Sequence, residues 1–108
     1  MSEIKKTWDT LTAPGSTIGF GCKGFMNHSF QVTIANIDTT VVVRAKGSID
    51  EGASYQNLQV SNLNTTYTAN GTFGMKLSGV PLDFVQFEFV SETGGTAVTL
   101  APTYKGGN

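Results

Sequence analysis

Cysteine is almost missing from this chain: Cys22 stands alone, so no disulfide can close within it, and its chemistry suits assembly in a reducing compartment. Histidine is equally scarce. With His28 as the sole imidazole, one chain cannot supply the two that a blue-copper centre needs. A Ser-His-Asp relay would have one candidate base, and no serine sits in a G-x-S-x-G setting. Charge is sparse too, at 14% of residues with a formal net charge of −1. A duplex binder carries a concentrated basic patch, so no nucleic-acid partner is expected. No apolar run approaches the roughly 20 residues that cross a bilayer as a helix, and no membrane partner is expected. The opening MSEIKKTWDT lacks the apolar segment of a secretory signal. The sequons at Asn27, Asn64 and Asn70 are then read as turn composition.

What is present is glycine, 13 in all, set between short alternating apolar runs. The stretch from Val41 to Leu58 organises the rest. Val41, Val43 and Ala45 share one face of a strand and Val42, Arg44 and Lys46 the other. The chain then breaks at Gly47 and passes through Asp50-Glu51-Gly52. Ser48 and Asp50 are expected to tie that turn together by bonding nearby backbone N–H groups, and Gly47 and Gly52 to provide backbone freedom. Further strands are read with Phe30, Val32 and Ile34 inward, then Phe73, Met75 and Leu77, then Val85, Phe87 and Phe89, then Val98 and Leu100. Tyr55 to Val60 is a shorter one. Ile18, Phe20 and Cys22 line one face of a glycine-rich edge strand. Turn residues predict hairpins joining the Phe30 strand to the Val41 strand, and the Val85 strand to the Val98 strand through Gly94-Gly95; Asn70-Gly71 marks a tight turn. About seven to eight short strands without an internal helix predict an all-β fold, an antiparallel β-sandwich of jelly-roll type with an extended N-terminal arm.

That arm is assigned to residues 1–16, the sandwich to 17–105 and a flexible tail to 106–108. Ile4, Trp8 and Leu11 fall at helical spacing, so a short amphipathic helix is one reading. The arm either lies on its own domain or reaches a neighbour with Trp8 as anchor, tryptophan being favoured at interface centres. Ile4, Lys5, Lys6, Trp8 and Leu11 are the candidate partner-binding residues.

Few residues invite chemistry. Asp50 and Glu51 are adjacent and read as a solvated acidic turn; with Asp38 they are the remaining calcium candidates, without a spaced oxygen-ligand loop. Cys22, Met26 and His28 fall short of a metal-ligand set. Trp8, Tyr55, Tyr67, Phe73 and Tyr104 could stack a sugar ring, although core and cross-strand roles suit them better. No catalytic residue, metal or cofactor is expected, and the chain is not expected to be an enzyme.

One resemblance extends from Phe30 to Tyr104. Val41-Val42-Val43, Gly47-Ser48-Ile49-Asp50, Tyr55 with Asn57-Leu58, Thr68-Ala69-Asn70-Gly71, Gly79-Val80-Pro81, Val85-Gln86-Phe87-Glu88-Phe89 and Gly94-Gly95-Thr96-Ala97-Val98-Thr99 follow one another in a familiar order. That order resembles a β-sandwich module of tailed-bacteriophage virion proteins, especially capsid decoration (cement) proteins and short head fibres. Tyr55 stands where a tryptophan is more usual, and Gln86 and Glu88 where arginine is frequent. The resemblance implies a non-enzymatic virion protein, made in the host cytoplasm. It would sit on the capsid surface against the major capsid protein, as a homotrimer. A carbohydrate- or receptor-binding module of a phage fibre is the alternative, with a glycan as partner.

Overall fold

The computed structural model describes residues 3–58 and 65–108. Ten strands follow in order: β1 Glu3–Thr7, β2 Gly15–Ser16, β3 Phe20–Gly21, β4 Asn27–Ala35, β5 Thr40–Ser48, β6 Gln56–Asn57, β7 Thr66–Tyr67, β8 Gly71–Leu77, β9 Phe84–Thr93 and β10 Thr99–Gly107. One sheet runs β1-β10-β4-β8; the other runs β2-β9-β5-β6, with β3 also on β9 and β7 also on β5. All pairings are antiparallel. If β2 with β3 and β6 with β7 are each taken as one interrupted strand, the order is that of a jelly roll, with two four-stranded sheets.

Alternation explains the core. The inward residues of β4 (Phe30, Val32, Ile34), β5 (Val41, Val43, Ala45), β9 (Val85, Phe87, Phe89) and the Val98–Leu100 segment are all buried. β-Branched and aromatic side chains fit a pleated face, and phenylalanines from both sheets fill the roughly 10 Å between them. Val42 faces Ser91 while the next residue, Val43, faces Phe89, so Val90 is the extra residue of a bulge in β9, of the kind that sharpens local twist.

The predicted hairpins are a different matter. β4 and β5 are consecutive but belong to opposite sheets, and so are β9 and β10. The Asn36–Thr39 and Gly94-Gly95 turns therefore carry the chain across the sandwich instead of folding a strand on its neighbour. Asn70 plays a similar part between β7 and β8, its Oδ1 accepting from the Ile37 N–H at 2.9 Å. The strand expected over 55–60 is confined to Gln56–Asn57, and its last two residues lie outside the described ones.

The terminal expectations are also corrected. No helix forms over Ile4, Trp8 and Leu11: residues 3–7 are an edge strand with Glu3 opposite Gly107 and Thr7 opposite Thr103, and Leu11 bridges to Leu100. Gly106 is buried and lies between Ile4 and His28 in register, so the expected tail is the end of β10. The arm, sandwich and tail become one sandwich over the described residues.

Candidate functional site

The five predicted partner-binding residues do not form one exposed site. β1 turns Lys5 outward, and Lys5 alone of the five is exposed; Ile4, Lys6 and Leu11 are half-buried. Ile4 and Leu11 pack against the core cluster. Trp8 is only 4% exposed, with its ring 6.3 Å from that of Tyr104 and its indole N–H donating to the Ile18 carbonyl at 2.9 Å. It is a core residue, which removes it as an anchor held out to a neighbour. Where the chain passes from β1 to β2 it leaves a cleft of about 230 Å³ between the sheet edges, lined by Lys6, Trp8, Leu11 and Ile18 among others.

The loop after β5 behaves as its composition predicts. The buried Ser48 hydroxyl donates to Asp50 Oδ1 at 2.6 Å and accepts from the Gly52 N–H at 2.9 Å. Asp50 also accepts from the Ser54 N–H at 3.0 Å and the Ser54 hydroxyl at 2.6 Å. These donors, Ser48 first, hold the Asp50 carboxyl down at about 2. A carboxylate that accepts three bonds from its own loop serves as a fastener. Gly52, at φ +89°, supplies the left-handed backbone that a side chain resists. Gly47 serves by close approach instead, since a Cβ there would meet Leu58 and Leu82 at 3.0 Å.

Around this loop gather the Lys23–Glu51 ion pair at 3.0 Å and the bond from the Glu51 N–H to Asp83 at 3.0 Å. The same end of the sandwich exposes Ile49 (77%) and Met26 (41%). Asp38 lies against Gly94 and Gly95 at the opposite end, so the three acids considered for calcium do not meet. Among the described residues no three His, Cys, Asp or Glu converge on a metal-sized space.

Sequence reasoning missed the buried polar cluster at β4 and β10. His28, read as a polar strand start, is 1% exposed. Its Nε2 lies 2.8 Å from the Val80 carbonyl and its Nδ1 2.5 Å from the Tyr104 hydroxyl. A carbonyl only accepts, so Nε2 carries the hydrogen and Nδ1 accepts from Tyr104. Burial pushes the His28 value down, pushes the Cys22 thiol up, and pushes the Tyr104 hydroxyl far above its ordinary range. Cys22 is buried, with its thiol directed at the Leu82 carbonyl at 3.5 Å. Both ring nitrogens of His28 are thus committed to the fold. Most of the aromatic set considered for sugar stacking is likewise committed to packing. Trp8, Tyr67 and Tyr104 are buried, and half-buried Phe73 packs its ring 4.3 Å from that of Tyr67.

Comparison with known proteins gives a fold without a family. No family model matches the chain, and no curated protein matches it in sequence. Among solved structures it is similar to the SPBc2 prophage-derived protein YomS, with a TM-score of 0.63 and 17% identity, over 97% of this chain and 92% of that one. At that identity the likeness is one of fold, and the fold it supports is the two-sheet sandwich described above.

Proposed function

We propose that this chain is a non-enzymatic structural protein of a bacteriophage particle, of the decoration or cement kind. It docks on the capsid exterior against the major capsid protein, after synthesis in the host cytoplasm, and it assembles as a homotrimer. The observation that carries this reading is the likeness to a prophage-derived protein over nearly the whole of both chains. The jelly-roll strand order, which viral capsid domains also use, supports it by fold analogy. The polar side chains offer further support: Asp50 and His28 spend their hydrogen-bonding capacity on holding loops and strands. That is what a protein employed for its surface needs.

The test is co-sedimentation of the purified chain with particles of the phage that encodes it, beside a glycan array and light scattering. Stoichiometric particle binding is expected, with trimers free or on the particle. Glycan binding without particle affinity would overturn the reading in favour of a fibre module, and a monomer in both states would remove the trimer.

A further inference from the structure

The outer face of the β1-β10-β4-β8 sheet carries a feature that only the register reveals. Lys5 stands opposite Lys105, Lys105 opposite Ser29, and Ser29 opposite Lys76. One rung across all four strands thus holds three lysines with a serine between them. At about 4.8 Å per strand it spans roughly 15 Å. The next rung reads Thr7, Thr103, Gln31, Gly74 and the one beyond it Ala101, Thr33, Thr72. The surface between the lysines is therefore flat and made mostly of small side chains.

Two shallow depressions lie on this face, one on either side of Ser29 and Gln31. One, of about 280 Å³, is rimmed by Lys5 and Lys105. The other, of about 320 Å³, is rimmed by Lys76 and floored by Gly74. Among the described residues Glu3 is the only acid paired with the lysine rung, accepting from Lys105 at 3.1 Å and reaching Lys5 at 3.7 Å. Lys76 has no ion pair among the described residues. Three lysines against one glutamate give the face a balance of +2, in a chain whose total is −1. The remaining acids sit on the loops and the other sheet.

We infer that this face is a docking surface for an acidic protein surface, whose carboxylates enter the two depressions beside Lys105 and Lys76. Charge selects the partner, and flatness admits it: nothing longer than Gln31 rises between the lysines to hold a folded partner away. Like charges directly opposite across a strand pair are unfavourable, and Glu3 already offsets that repulsion between Lys5 and Lys105. Lys76, opposite Ser29, has no such carboxylate among the described residues and is left for a partner's. The inference rests on the proposed particle docking and names the chemistry of the surface that the particle presents.

Labelled poly-L-glutamate is the probe, titrated at about 20 mM and about 300 mM salt. Lys76→Gln/Lys105→Gln is compared with Lys23→Gln/Arg44→Gln, which removes the same charge from exposed positions off this face. The face variant is expected to bind roughly tenfold more weakly at low salt, the sum of two exposed charge pairs, and the control within about twofold. Equal losses in both variants would overturn the inference, as would tighter binding of heparin or duplex DNA than of poly-glutamate. Particle co-sedimentation separates the two readings. Wild-type binding that the face variant retains in full sinks the face and leaves the particle role. If the wild type ignores particles while poly-glutamate still discriminates the variants, the face stands and the particle role falls.

Discussion

His28 and Tyr104, 76 residues apart in sequence, lie with Nδ1 and hydroxyl 2.5 Å from one another in the core, their rings stacked at 5.8 Å. The bond ties β4 to β10, and the opposite nitrogen ties both to the loop before β9 through Val80. Removing one partner strands the other where water does not reach. Tyr104→Phe should cost about 1–3 kcal/mol, the usual penalty for a buried unpaired acceptor. His28→Leu combined with Tyr104→Phe should cost less than the sum of the single changes, because the mutual polar requirement disappears with both partners. Urea midpoints of the four proteins check this; strict additivity would mean that the two side chains do not act as a pair.

The same histidine makes stability depend on pH in a defined direction. Burial holds His28 below its ordinary value of 6.5, so the unfolded chain takes up a proton that the fold resists. The unfolded state then binds more protons between the folded value and 6.5, and stability rises with pH across that window. It should be complete above about pH 6.5 and decline as pH falls through the folded value. His28 is the sole histidine, and unperturbed carboxylates titrate lower. The slope between about pH 7 and about pH 5 should therefore vanish in His28→Leu. Chemical unfolding at several pH values reads it directly; an unchanged slope in the variant would assign it elsewhere.

These two residues also show where sequence reading stops. Alternation identified the inward faces of β4, β5 and β9, because period-two burial depends only on neighbours along the strand. Which strand lies beside which does not. Gly94-Gly95 and the Asn36–Thr39 turn suit a hairpin or a passage between sheets equally well, since both need a compact reversal. His28 reads as polar until Tyr104 is placed across from it. β1 shows the same limit from the other side: its Glu3, Lys5 and Lys6 look solvated, and only pairing to β10 reveals an edge strand. Lys5, Lys105 and Lys76 are scattered in sequence and collected by register alone.

The loop after β5 should fail at Asp50 and Gly52 by different routes. Asp50→Ala takes the acceptor from the Ser54 N–H and both serine hydroxyls but leaves Gly52 bonded to Ser48. Hydrogen exchange at the Ser54 amide should accelerate much more than at Gly52. Because Asp50 is held near 2 against an ordinary 3.8, its contribution is present above about pH 4 and lost as pH falls towards 2. Gly52→Ala forces a side chain into φ +89° and should cost about 1–2 kcal/mol. Equal acceleration at both amides in Asp50→Ala would show that the loop opens as one unit, not through its separate bonds.

Trp8 decides whether the first strand belongs to the fold. An exposed anchor could be removed without unfolding anything, but Trp8 is 4% exposed and touches the Tyr104 ring. Trp8→Ala should therefore cost about 3–5 kcal/mol, as for other large-to-small core changes. Trp8→Phe should cost less, because the carbonyl of Ile18, a residue that is 72% exposed, can bond water in place of the indole N–H. Deleting residues 1–14 should be worse than either change. It removes the core tryptophan and uncovers the edge of β10 from Thr103 to Gly107, and an unpaired edge invites aggregation. Against a total stability of about 5–15 kcal/mol for an ordinary domain, the truncated chain should be largely unfolded or aggregated. Loss of particle binding on truncation would then report unfolding, and only point changes at exposed Lys5 can probe docking there. Circular dichroism with a urea titration settles it: a truncated chain that unfolds at the wild-type midpoint would put β1 and Trp8 outside the cooperative core.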